Sequence, residues 1–148
     1  MIQYEKVNGN FDLTGKAAIV VGGAGGIGEA TAQMYARKGA RVAIVDCKDN
    51  CPEVAAKIAE EFGVQVIGVK CDVTSQESVD AMMKAVLEAF GEINILAAMP
   101  GFVDLYRASD ISIATIEKHM SINAVGVFRV CQAVANQMIK QGKGGKMV

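Results

Sequence analysis

The chain has 148 residues, 51% hydrophobic and 21% charged, with a net charge of −1 and a pI near 5.8. That balance fits one globular domain with a sizeable core and excludes a disordered chain. Near-neutral charge gives no electrostatic basis for a nucleic acid or membrane-surface partner, no apolar run approaches the ~20 residues needed to span a bilayer, and the opening MIQYEKVNGNFD has no signal-peptide pattern.

The first structural segment, KAAIVVG, is short, apolar and β-branched, so a buried strand is predicted. GIGEATAQMYARKGA follows as an amphipathic helix with Ile27, Ala30, Met34 and Tyr35 on its apolar face and a stop at Gly39. RVAIVD is a second strand, and CPEVAAKIAEEFG a second helix with Pro52 in its first turn and Gly63 past its end. VQVIGVKCD is a third strand ending on Asp72. VTSQESVDAMMKAVLEAFG is a third helix, capped by Thr74 or Ser75 with Glu77 in its first turn. INILAAM is a fourth strand, followed after Pro100 by a loose stretch from Gly101 to Ser121. INAVGVFRVCQAVANQMIKQ makes a long helix closed by Gly142, and Lys146-Met147-Val148 opens a fifth strand.

Strand and helix alternate at βαβ spacing, which implies parallel strands with right-handed crossovers. The expected architecture is a Rossmann-like, doubly wound parallel sheet in three α/β/α layers, a single domain over 1–148 whose strand order begins 3-2-1-4. On this reading the chain stops at the start of the fifth strand, which leaves the fourth as an edge.

Cys47, Cys51, Cys71 and Cys131 lack zinc-site and C-x-x-C spacing, so free thiols and a cytoplasmic location are expected. A Cys47–Cys51 redox pair is the alternative. His119 is the lone histidine and reads as a helix-surface or capping residue, and no metal site is expected.

VVGGAGGIGEA carries the most chemical information. A parallel strand ending at a helix N-terminus makes an anion site from unpaired N–H groups and the helix dipole. Glycines allow close backbone approach to a pyrophosphate. Three registers fit: Gly23, Gly25 and Gly28; Gly22, Gly25 and Gly28; Gly22, Gly26 and Gly28. Without Lys-Ser or Lys-Thr after the glycines, a phosphate-loop NTPase is disfavoured. Asp46 ends the second strand 18 positions beyond Gly28, where a carboxylate accepts hydrogen bonds from an adenosine ribose diol and repels a 2′-phosphate. NAD is therefore expected in preference to NADP, although Lys48 lies close. Asp72 can accept from an adenine amino group while Val73 packs the ring.

VVGGAGGIG, Asp46, CDVTS, INILAAMPG and SINAVGVF together resemble the short-chain dehydrogenase/reductase family over essentially the whole chain. The resemblance implies Gly22, Gly26 and Gly28 around the pyrophosphate, with Gly25 and Ile27 in the same loop. It implies Asp46 and Cys47 at the ribose, Asp72 and Val73 at adenine, and Ala98, Met99, Pro100 and Gly101 beside the nicotinamide ribose. Asn123 matches the family's catalytic asparagine, which holds a water in a proton relay.

Three departures stand out. Val21 replaces the usual Thr. Ala98-Met99-Pro100-Gly101 replaces Asn-Asn-Ala-Gly. The family's Ser and Tyr-x-x-x-Lys have no match, since Tyr4, Tyr35 and Tyr106 are followed four later by Asn8, Gly39 and Asp110.

The resemblance thus implies the dinucleotide-binding portion of an NAD-dependent oxidoreductase interconverting a secondary alcohol and a ketone, inactive or nearly so by itself. A non-catalytic dinucleotide-binding module, or a subunit of a split enzyme, is the alternative. The second glycine register leaves an extended, sugar-nucleotide epimerase-like relative open. A homo-oligomer is expected, in contact through the long helix from Asn123 to Gln141.

Overall fold

The predicted apolar runs become strands β1 (Ala17–Val21), β2 (Arg41–Asp46), β3 (Val66–Lys70) and β4 (Ile95–Ala98), with a short β5 (Lys146–Met147). The computed structural model describes residues 11–148; Tyr4 lies outside the described residues. All strand pairs are parallel, in the order β3-β2-β1-β4-β5. The expected 3-2-1-4 arrangement is present, with one correction. β4 is not an edge, because Ile95 and Leu96 pair with Lys146 and Met147. The Ala98 N–H also donates to Val148 O at 2.7 Å, and the Val148 N–H to Leu96 O at 2.9 Å. Three residues are enough to seat a parallel neighbour, because the ladder closes on alternate N–H and C=O groups.

Side chains alternate across the sheet. Ala17, Ile19, Val21, Ala43 and Val45 face the layer of α3 (Gln76–Phe90) and α5 (Val127–Gln141), packing on Val79, Met82, Val86, Val130 and Val134. Ala18, Val20, Val42 and Ile44 face α1 (Gly26–Arg37) and α2 (Cys51–Phe62), packing on Ala32, Ala36, Val54 and Ile58.

The inner face of α1 differs from the expected one. Gly28, Ala32 and Ala36 are buried, Ile27 and Ala30 are exposed, and Met34 and Tyr35 are half-buried. The helix lies so close to the sheet that its contact row holds small residues at i, i+4 and i+8. The cap prediction resolves to Ser75, whose hydroxyl accepts from the Ser78 N–H. Gly63 and Gly142 end α2 and α5 in the left-handed conformation, as expected.

Two elements lie where a loose stretch and one long helix were expected. α4 (Ile113–Met120) begins at Ser112, which caps the Thr115 N–H, and no residue of α4 is buried. Its apolar residues Ile113, Ile116 and Met120 do recur at i, i+3 and i+7, but they are exposed, so the periodic face is short and not packed on the core. Between α4 and α5, Ser121–Gly126 forms a π-helical segment. The third strand also stops at Lys70, so Asp72 sits in the following turn, accepting from the Thr74 N–H and hydroxyl at 2.8 and 2.7 Å. Among the described residues, no helix is long and apolar enough to cross a membrane.

Candidate functional site

The site lies at the carboxyl ends of the strands, where β1 has β2 on one side and β4 on the other and the connections diverge to opposite faces. This is the switch point at which doubly wound sheets bind ligands. A cavity of about 590 Å³ opens there. Its walls bring together the glycine loop with Ile27, the end of β2, the Asp72 turn and the segment after β4.

Backbone bonds hold the glycine loop. The N–H groups of Gly22 and Gly23 donate to Val45 O at 2.8 and 3.0 Å, and the Ala24 N–H donates to Asp46 Oδ2 at 3.1 Å. Gly22 has φ +79°, and a Cβ there would lie 2.5 Å from Met99 O. A Cβ on Gly28 would lie 2.0 Å from Gly22 O, so the first turn of α1 rests directly on the loop backbone. Gly26 has φ +54° and a Cβ on Gly23 would lie 2.7 Å from Val20 O, so the backbone favours glycine at 22, 23, 26 and 28, whereas a Cβ on Gly25 would meet only the flexible Lys48 side chain.

Asp46 is built into the loop. Besides Ala24, its carboxylate accepts from the Lys48 N–H at 3.3 Å and the Cys47 thiol at 3.5 Å, both at Oδ1. Burial, then the Asp46 charge, pushes the Cys47 thiol above its ordinary value, so it stays protonated at neutral pH. All four cysteines carry free thiols. On the third wall, Thr74 holds the Asp72 carboxyl below the usual carboxylate value. Val73 is buried against Gly126, where an added Cβ would meet Val73 Cγ2 at 2.6 Å.

Gly22, Gly25, Gly26, Ile27, Gly28, Asp46, Cys47, Asp72, Val73, Met99, Pro100 and Gly101 all line the cavity. Ala98 stands apart: its side chain packs toward the α3/α5 core, because strand alternation turns it away from the opening. Asn123 is not in the wall. Its Oδ1 accepts from the Phe102 N–H and its Nδ2 donates to Phe102 O, both at 2.8 Å, so the side-chain amide clamps the chain just past β4.

Residues 16–148 match the family described as short chain dehydrogenase. The chain belongs to the short-chain dehydrogenase family. It is 39% identical over 147 residues to D-threitol dehydrogenase of Mycolicibacterium smegmatis, covering 97% of this chain and 56% of that protein. It is 38% identical over 136 residues to sorbitol dehydrogenase of Cereibacter sphaeroides, covering 92% and 52%. A solved NAD+-bound xylitol dehydrogenase superposes with a TM-score of 0.86 at 32% identity, over 91% of this chain and 52% of the other. The chain thus spans about half the length of the short-chain dehydrogenases it matches.

Two departures from the family pattern have local substitutes. Val21 brings no hydroxyl, yet the loop is tied through Val45 O and the Asp46 carboxylate. Pro100 brings no N–H, yet the Met99 N–H donates to Val21 O at 3.0 Å and sets the close contact with Gly22.

Phe102 also lines the cavity, and sequence reasoning missed its supports. Lys118 lies 4.1 Å from the Phe102 ring centroid, and His119 packs edge-on to that ring while its Nε2 accepts from the Asp104 N–H at 3.3 Å. Arg129 donates to Val73 O and was likewise missed. No short-range pattern announces these contacts, since each joins residues 15 to 56 positions apart. Among the described residues, no group of His, Cys, Asp and Glu has metal-site geometry.

Proposed function

We propose that the chain forms the dinucleotide-binding half of an NAD-dependent oxidoreductase that interconverts a secondary alcohol and a ketone, with polyols as the substrate class. One observation carries the reading: the glycine loop, Asp46, Asp72, Val73 and Met99–Gly101 surround one cavity at the sheet's switch point. The residues fit a dinucleotide. Glycine at 22 and 28 lets the loop pack directly on the backbone after β4 and under the first turn of α1, which keeps the N-terminus of α1 at the cavity, and a carboxylate stands at the end of β2. The names of the threitol, sorbitol and xylitol dehydrogenases support the polyol class.

NAD, when bound, supplies the hydride acceptor. The chain's own part is to bind and orient. The N-terminus of α1 and the loop N–H groups would face the pyrophosphate. Asp46 would accept from the ribose diol, and Asp72 with Val73 would hold the adenine. Met99, Pro100 and Gly101 would wall the nicotinamide end, and Asn123 would act as a positioning residue by holding Phe102. The described tyrosines are poor proton donors for this cavity. Tyr35 packs on the α1/α2 core with its phenol pushed up by burial, and Tyr106 is exposed in the loop after β4.

Addition of NAD tests the reading. At 100 times the dissociation constant, the gain in unfolding free energy is about 2.7 kcal/mol, read as a rise in Tm. No rise at millimolar NAD sinks it. A turnover assay beside a full-length polyol dehydrogenase tests the catalytic part, with this chain expected to be far slower. The self-association expected through α5 is supported by exposed Phe128 and Ile139 on that helix.

A further inference from the structure

The turn after β3 walls the cavity with Cys71, Asp72 and Val73. Most of its bonds are local. The Asp72 N–H donates to Ser78 Oγ at 2.9 Å, the Ser75 N–H to Asp72 O at 3.1 Å and the Thr74 N–H to Asp72 Oδ1 at 2.8 Å. Arg129 reaches the same turn from behind. It is half-buried in the first turn of α5 and lines the separate groove between α3 and α5, not the cavity. Its Nη1 donates to Val73 O, 56 positions away in the chain. Among the described residues, no other hydrogen bond joins this turn to α5, and no salt bridge engages the guanidinium. Its charge also adds to the lowering of the Asp72 carboxyl that Thr74 dominates, so the cation stands close to that carboxylate.

Resting on the reading that Asp72 accepts from the adenine amino group, we propose that Arg129 is a positioning residue that sets adenine recognition from outside the cavity. A hydrogen bond between a carboxylate and an amino group weakens steeply as it bends or lengthens. The carboxylate of Asp72 and the packing surface of Val73 are neighbours on one short turn, so a shift of the Val73 peptide displaces both. A charged, planar donor on the Val73 carbonyl resists that shift more strongly than a neutral one does. The glycine loop and the N-terminus of α1 form a different wall, which Arg129 does not touch. Losing Arg129 therefore costs discrimination between bases and leaves the pyrophosphate cradle in place.

The test compares two dinucleotides that differ at the base. NAD and nicotinamide hypoxanthine dinucleotide, which has a carbonyl in place of the adenine amino group, are titrated calorimetrically into the 148-residue chain and into Arg129→Met and Arg129→Lys. Methionine keeps helix propensity and an aliphatic stem, and circular dichroism checks the fold of each variant. The parent is expected to bind NAD about tenfold or more tighter than the hypoxanthine analogue, as one hydrogen bond to a charged acceptor provides. Arg129→Met should bring that ratio to within about threefold of unity, chiefly by weakening NAD, on the scale of losing one charge-assisted contact. Arg129→Lys keeps a cationic donor and should retain most of the preference. Should Arg129→Met not fold, Arg129→Gln, whose amide ends well short of Nη1, is expected to show the same loss. An undiminished preference for NAD in a folded variant lacking the donor overturns the role of Arg129 and leaves the nucleotide site standing, as does a parent that binds both dinucleotides equally. Failure of the parent to bind either dinucleotide overturns the nucleotide reading itself, and this inference with it.

Discussion

At Gly28 a single methyl group decides whether the site exists. A Cβ 2.0 Å from Gly22 O forces backbone apart, so Gly28→Ala is expected to cost about 1–3 kcal/mol in the manner of an overpacked core and to abolish the NAD-induced rise in Tm. Calorimetry of parent and variant with and without NAD checks both parts. Asp72 works by charge instead. The Thr74 hydroxyl, then its N–H, hold the Asp72 carboxyl below 3.8. A depressed folded value means the stabilisation is fully present above pH 3.8 and is lost as pH falls through the lower folded value. Asp72→Asn should therefore lower Tm at pH 7, with the difference from the parent closing in acid below pH 3.8; a gap constant across that range would refute the charge argument.

The α4–π–α5 run braces the site at one end of the sheet and the start of β4 at the other. Asn123 in the π segment clamps Phe102, Arg129 holds Val73 O, and Gln141 clamps Ile93 by donating to its O at 2.8 Å and accepting from its N–H at 3.0 Å. Asn123→Ala removes two hydrogen bonds, with a loss of about 1–2 kcal/mol. Its signature should be faster amide exchange at Phe102 with little change in the β1 and β2 amides. Gly126 sets how closely the run approaches Val73. Gly126→Ala alone should destabilise, and Val73→Ala combined with it should recover part of the loss. A double-mutant cycle with no coupling would show that the two do not meet. The glycine stops, the Ser75 cap and the sheet strands of this architecture were legible because each is announced within a few residues. The start of α4 and the π segment were not: α4 offers only Ile113, Ile116 and Met120 over two turns after a loop, and the π segment runs into α5 with no residue that marks the change of winding.

For the whole molecule, the exposed face of α5 calls for a partner. Phe128 and Ile139 lie eleven positions apart, about three turns, so they share one face. They are 66% and 77% exposed. We expect self-association through that face, seen by light scattering as mass rising with concentration and suppressed in Phe128→Glu. Monomeric behaviour over a broad concentration range would count against it. The order of apolar runs, the glycine loop and the carboxylate at the end of β2 were determined by the sequence alone, since they depend on local periodicity and on residue types at fixed offsets. Only the tertiary structure decided which glycines the backbone demands, that β4 gains a neighbour, and that the Lys48 ammonium lies over Gly25. Apart from the contact of Gly28 with Gly22, those outcomes depend on close approach between distant segments, Gly22 with Met99, Ile95 with Lys146 and Gly25 with Lys48, and no local pattern in the chain encodes such contacts.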